Sequence, residues 1–179
     1  MSKLKTTFLY ILSSLILFLY FSCNRNTETS KKNLQEVNSE DFKVSAKDID
    51  NIKYTEFALS NLSENAIENW LKFHELQEEI TLLKKGEMSF FKDDKAILEG
   101  LITDLKNEIP KNLSTSSILV RLSVLETAIF KLEGISSLSN VNKEVILNAI
   151  KDVLVANSNV ILQMNKKLEK DSQNIQKPS

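Results

Sequence analysis

The sequence is poor in the residue types that build tight turns, disulfides and metal sites. Its 179 residues include three glycines, two prolines, one cysteine, one histidine and one tryptophan. Small all-β folds need many more turn residues, so a barrel or a propeller is excluded. One cysteine excludes an internal disulfide and a cysteine-based zinc site, and one histidine excludes a histidine-rich metal site. The composition therefore predicts a single helical domain without catalytic activity, cofactor or metal.

The sequence also has no excess of charge of either sign. The chain has 23 basic and 24 acidic residues and a net charge of −1, which gives no reason to expect a nucleic-acid partner. The three glycines stand apart from one another, so no glycine-rich phosphate loop is present.

The N-terminus has the pattern of a secretory signal. Lys3 and Lys5 precede an uncharged apolar run that extends from Phe8 to Ser22. A membrane-spanning helix needs about 20 apolar residues, so this run is short for a permanent anchor. A basic start followed by a short apolar run is typical of a signal peptide.

The end of this run carries a more specific motif. The segment Leu19-Tyr20-Phe21-Ser22-Cys23 resembles the lipobox of bacterial lipoproteins of the Gram-negative type. The resemblance implies that residues 1–22 are removed and that Cys23 is lipidated and becomes the new N-terminus. Asn24 stands where an Asp would imply retention in the inner membrane, so the resemblance implies the outer membrane. The alternative is a chance cysteine at the end of an uncleaved anchor.

A polar segment follows the cysteine, and we expect residues 23–48 to form a flexible tether. The segment is rich in Asn, Ser, Thr, Lys and Glu, and its apolar residues are isolated, so it buries too little surface to offset the entropy of ordering. About 25 flexible residues have a root-mean-square reach of roughly 25–30 Å. Phe42 is either an incidental linker residue or a contact with the domain.

The remaining chain shows the period of amphipathic helices rather than the alternation of strands. The first helix is predicted to run continuously from about Asp50 to Lys85, with a bend or break around Asn61 as the alternative. Ser63 is a candidate N-cap, and Gly86 is predicted to end the helix.

Two further helices follow. The second is predicted from about Ser89 to Glu108, where Pro110 stops it. The third opens at Ser114 or Thr115, either of which has a capping side chain, and Gly134 ends it. Its apolar stripe has regular spacing and consists of Ile118, Leu122, Leu125, Ile129 and Leu132.

The fourth helix is predicted to begin near Asn142 and to fray into a disordered tail at residues 171–179. Short loops between such helices favour antiparallel neighbours. The predicted fold is therefore an all-α, up-down-up-down four-helix bundle over residues 49–170, on a flexible N-terminal tether.

His74 is the only imidazole and a weak candidate for chemistry. A di-iron bundle needs Glu-x-x-His on two helices, and the residue three before His74 is Leu71. His74 and Glu78 are one turn apart, a spacing typical of a contact on a helix surface. We therefore predict no catalytic residue and no metal ligand.

Arg121 is the only arginine beyond the predicted tether, and it flanks the apolar stripe of the third helix. The planar guanidinium suits a carboxylate, and Glu99 or Asp104 on a neighbouring helix could supply one. The expected role is a helix-packing salt bridge, and a contact with an anion or a partner is the functional alternative. Four aromatic residues raise a similar choice between core packing and an exposed anchor: Trp70, Phe73, Phe90 and Phe91.

These features support two functions from different classes. The first is a membrane-anchored envelope lipoprotein that presents a helical bundle to another envelope protein. The second is a bundle that holds a small apolar ligand between its helices, with Asn157 or Arg121 as a polar contact. An internal cavity above roughly 300 Å³, lined by Phe and Leu, would favour the ligand, and a filled core would favour the partner protein. A hydrolase has no support beyond unassigned acidic residues.

Overall fold

Helices account for nearly all the regular structure in the computed structural model, which describes residues 44–92 and 95–173. Over these residues the chain is all-α, with 73% of them helical and no strand. The all-α prediction is thus confirmed for the described part of the chain. Its elements in order are α1 (Ala46–Asp50), α2 (Asn61–Ile67), α3 (Leu71–Lys84), a 3-10 turn (Ser89–Phe91), α4 (Lys95–Asn107), α5 (Ser116–Ser136) and α6 (Lys143–Ser172).

The predictions for the signal peptide, for Cys23 and for the tether up to residue 43 lie outside the described residues. Within the range predicted as tether, Val44 is buried and α1 begins at Ala46. The boundary at residue 49 stays a prediction, as does the tail, although α6 extends to Ser172.

Polar side chains define where four of the helices begin. Ser45, Ser60, Thr115 and Asn142 each occupy the N-cap position and accept a hydrogen bond from a backbone N–H in the first turn. Each such cap stabilises a helix by about 1 kcal/mol. Thr115 and Asn142 confirm the predicted starts of the third and fourth helices.

The first predicted helix is wrong as a continuous element, and the break near Asn61 is confirmed. Residues 52–60 are not helical, and the chain resumes helix at Asn61 under the cap of Ser60. Ser63, the predicted cap, is instead fully buried, and its hydroxyl donates to Asn165 Oδ1 over 2.8 Å.

Side chains of α6 hold this non-helical segment in place. Phe57 N–H donates to Ser158 Oγ over 2.9 Å, and the same hydroxyl donates to the Thr55 carbonyl over 2.9 Å. Farther along α6, Asn165 accepts from Ser60 N–H over 2.9 Å and donates to the Ala58 carbonyl over 2.8 Å. Backbone groups that a helix would satisfy internally are therefore satisfied by a distant helix.

Two glycines were predicted to end helices, and one of them does. Gly86 follows the end of α3 with φ +88°, and a Cβ there would lie 3.1 Å from Ala46 N. Gly134 lies inside the last turn of α5, which continues to Ser136. The predicted second helix is also shorter, because residues 89–91 form a 3-10 turn and α4 begins at Lys95.

Helices α5 and α6 are the most extensively packed pair of elements, and they run antiparallel. Lys131 on α5 lies 2.8 Å from Asp152 on α6, and Val120 lines the same depression as Gln163. Residue numbers on α6 thus fall as those on α5 rise. The predicted apolar stripe of α5 is fully buried at Leu125 and at its neighbours on the same face.

The aromatic residues belong mostly to the core. Trp70, Phe73 and Phe91 are fully buried, while Phe90 is half-buried against the core. Trp70 stacks on Phe73 with ring centroids 4.9 Å apart, and its indole N–H donates to the Leu105 carbonyl over 3.0 Å. Core packing is therefore the role of these side chains.

Helix α6 is, among the described helices, the one long and apolar enough to cross a membrane by length and composition. More than half of its most apolar window, 56%, is buried inside the fold. Residues such as Ile150, Val153 and Met164 contribute that buried surface. This burial is typical of a core helix.

Candidate functional site

An open groove follows the α5–α6 pair, beside the buried stripe. We call it the α5–α6 furrow. It consists of two depressions of about 610 Å³ and 440 Å³, both lined by these two helices. The larger depression is lined by Val124, Thr127, Ala128, Lys131, Lys151, Asp152, Val155, Ala156 and Asn159, and the smaller one by Ser116, Ser117, Val120, Arg121 and Gln163.

The floor of the furrow is apolar although it faces solvent. Val120 and Val124 are 61% and 48% exposed, and they lie one turn apart on α5. Val155 on α6 is half-buried and lines the same groove. The furrow is thus a short row of exposed valines with polar residues at its edges.

The cations of the furrow differ in whether they are paired. Lys131 is neutralised by Asp152 at 2.8 Å. Lys151, at the same end, has no salt bridge or hydrogen bond with any residue that the structure describes, and its neighbour in the furrow is the Lys131–Asp152 pair. The furrow therefore carries one unneutralised cation at this end.

Arg121 lies at the other end of the furrow. It is exposed and has no partner within residues 44–92 and 95–173. Glu99, one of the two acids expected to pair with it, lies 3.6 Å from Lys95 on its own helix. The described residues therefore leave the guanidinium of Arg121 open to solvent at the end of an apolar groove.

His74 lies on the exposed face of α3, in a shallow depression it shares with Gln77 and Glu78. Its Nε2 is 2.9 Å from the Ile67 carbonyl, so one ring nitrogen is used to close the turn between α2 and α3. No second imidazole or thiol is described near it. Among the described residues no group of three or more His, Cys, Asp or Glu is placed to hold a metal ion.

Asn157, a candidate ligand contact, points at a protein group instead. It is buried on α6 and exchanges two hydrogen bonds with Gln77 on α3, of 2.9 Å and 3.0 Å. This pair joins α6 to α3 and uses one donor and one acceptor position of each amide.

Two ion pairs outside the furrow anchor the N-terminal part of the domain. Lys84 at the end of α3 contacts Glu56, which lowers the pKa of Glu56. Lys143 lies 2.6 Å from Asp48, and hydrogen bonds from Lys143 and Ser45 lower the pKa of Asp48 from 3.8 to about 2. These pairs connect α1 and the non-helical segment to α6 and α3.

Sequence reasoning identified Arg121 but missed Lys151 and the apolar furrow floor. A signal was present, since α5 carries apolar residues on two faces: Leu122 and Leu125 on one, and Val120 and Val124 on the other. A helix that packs against a core on one side needs apolar residues only on the face that carries Leu122 and Leu125.

Comparison of the chain with models of known families, with characterised proteins and with solved structures finds no match.

Proposed function

We propose that this protein is a lipid-anchored lipoprotein of the bacterial cell envelope, in which a helical domain serves as an interaction module. Its anchor is Cys23, preceded by the apolar run that begins at Phe8 and ends in the lipobox-like Leu19–Cys23 segment. The three acyl chains typical of lipoproteins bury enough methylene groups for stable anchoring. Asn24 after the cysteine favours the outer membrane over the inner one. No catalytic role is part of the proposal.

The finer architecture belongs to the same proposal: α3, α4, α5 and α6 form an up-down-up-down bundle. Antiparallel packing of α5 on α6 supports it. So does the bond between Trp70, at the start of α3, and Leu105, near the end of α4. The connections between these helices are no longer than ten residues, a length that favours antiparallel neighbours.

The observation that carries the interaction function is the α5–α6 furrow. Apolar side chains are exposed there in a row, although the same helices already bury an apolar stripe on an adjoining face. Exposing large apolar residues to water is unfavourable, so a partner surface that covers Val120 and Val124 would stabilise the complex.

A small apolar ligand is the alternative, and the volume of about 610 Å³ is large enough for one. The shape favours a protein partner, because ligand pockets bury most of the ligand whereas the furrow is open along its length. The buried Asn157, the proposed polar contact for such a ligand, is already hydrogen-bonded to the half-buried Gln77.

The anchoring half of the proposal is tested by substitution of the cysteine. In bacteria grown with a labelled fatty acid, the wild-type chain should take up the label and lose residues 1–22. Cys23→Ala should take up no label and keep the precursor size, whereas Ser22→Ala should leave both properties unchanged. Equal labelling and equal size of the Cys23→Ala and wild-type chains would refute the anchor.

A further inference from the structure

We propose that the α5–α6 furrow binds one amphipathic helix of a partner protein, and that two acidic residues of that helix pair with Arg121 and Lys151. The inference rests on the proposed interaction function and adds the chemistry of the partner. The occupant is a helix with an apolar face, flanked by carboxylates about eleven positions apart.

The spacing of the carboxylates follows from the spacing of the two cations. Arg121 lines the furrow beside Gln163, and Lys151 lines it at the other end of the same stretch of α6. With a rise of 1.5 Å per residue, the positions of Gln163 and Lys151 are about 18 Å apart along α6. On a partner helix parallel to the furrow, residues about eleven positions apart share one face and are about 16 Å apart. The two carboxylates of such a helix would therefore reach both cations.

The floor between the cations suits a helix. Ala128 and Ala156 line the larger depression together with the valines Val124 and Val155. Small side chains allow two helices to approach closely, and the taller valines form ridges that fit between the side chains of the incoming helix. Apolar residues at three- and four-residue intervals on the partner would cover the floor.

The charges favour a partner of different chemistry over a second copy of this chain. In a two-fold pairing of furrows, Arg121 of one copy would face Lys151 or Arg121 of the other. The one acid that lines the furrow, Asp152, is already paired with Lys131. Like charges across an interface are repulsive, so self-association through this face is disfavoured.

The test uses the purified full-length chain in detergent and two designed helical peptides carrying a fluorophore. One peptide has leucines and alanines on one face between two glutamates eleven positions apart, and the other has lysines in place of the glutamates. Fluorescence anisotropy measures the dissociation constants. The wild-type chain should bind the glutamate peptide, and Arg121→Glu or Lys151→Glu should each weaken this binding several-fold.

Reversing both furrow charges tests the inference more sharply than the single substitutions do. The double variant with Arg121→Glu and Lys151→Glu should lose the glutamate peptide and bind the lysine peptide instead. Lys53→Glu makes the same change of charge at an exposed site on the non-helical segment, and it should leave both affinities unchanged. Circular dichroism of each variant should match the wild type, because both furrow cations are exposed.

Three outcomes would overturn the inference. The first is equal binding of both peptides, or of neither, by the wild-type chain. The second is a concentration-dependent dimer that Val124→Glu abolishes, which would make a second copy the occupant. The third is a small apolar dye that binds in the furrow and that neither peptide displaces, which would favour a ligand site. If the proposed lipid anchor is wrong, the fatty-acid labelling of Cys23 shows it, and the result with the peptides is unaffected.

Discussion

Individual residues of α5 have opposite environments within a few positions of one another. Leu125 is fully buried, while Val124 beside it is 48% exposed, because successive residues of a helix point about 100° apart. One face of this helix therefore packs into the core, and another face lines the furrow. Substitution of the buried residue tests the core, and substitution of the exposed one tests the furrow.

We predict that Leu125→Ala lowers the free energy of unfolding by about 2–5 kcal/mol, because it removes buried methyl groups and leaves a cavity. Thermal unfolding of the purified chain measures the change. Lys131→Ala on the exposed side of the same helix breaks only a solvent-exposed ion pair and should cost less than about 1 kcal/mol. Equal, small effects of both substitutions would show that the stripe around Leu125 does not face a core.

Asp48 gives the domain a defined dependence on pH. Hydrogen bonds from Lys143 and Ser45 hold its pKa at about 2, below its ordinary value of 3.8. Since the pKa is depressed in the folded state, the pair stabilises the fold above the unfolded pKa, and this contribution is lost as the pH falls from about 4 to about 2.

Asp48→Asn should therefore lower the unfolding temperature at pH 6, and its difference from the wild type should shrink as the pH falls from about 4 to about 2. Asp50→Asn, a change at an exposed acid of the same helix, is the matched control. A difference between Asp48→Asn and the wild type that stays constant over this pH range would contradict the assignment.

Among the secondary-structure elements, the starts and ends of helices are best predicted where they depend on residues close in sequence. The cap at Thr115, the helix start at Asn142 and the turn at Gly86 depend on neighbouring residues, and the sequence predicts a cap at Ser114 or Thr115, a helix start near Asn142 and a helix end at Gly86. Periodicity predicts a continuous helix through residues 52–60, with a break near Asn61 as the alternative, because the partners of these residues, Ser158 and Asn165, lie about 100 positions away in the chain. Local periodicity contains no information about such distant hydrogen bonds.

Asn165→Ala tests the role of α6 in holding residues 52–60. The substitution removes the partners of Ser60 N–H, of the Ala58 carbonyl and of the Ser63 hydroxyl, and it should cost about 1–3 kcal/mol. Amide hydrogen exchange should become faster at Ser60. Asn159→Ala, on the furrow face of the same helix, is the control and should leave exchange in that segment unchanged. Unaltered exchange in Asn165→Ala would refute the proposed role.

At the scale of the whole molecule, the fold class was predictable and the interaction surface was only partly so. Low glycine and proline content and four apolar stripes indicate an all-α chain, which the described residues confirm. Arg121 was singled out as a candidate partner contact. The furrow itself was not predictable, because it needs the antiparallel alignment of α5 with α6, which brings Val124 and Val155 into one groove. Helix periodicity gives the face of each helix but not the register between two helices.

We propose that a lipid-anchored chain uses the α5–α6 furrow to hold a partner protein in the cell envelope. Photo-crosslinking in living cells tests it most directly, with a photoreactive amino acid placed at the exposed Val124 or, as a control, at Leu71, which is 70% exposed on α3. We predict one discrete crosslinked species from Val124 in the membrane fraction, its loss when Arg121→Glu is added, and no such species from Leu71. Equal crosslinking from both positions, or none from Val124 in a chain that is lipidated at Cys23, would contradict the account.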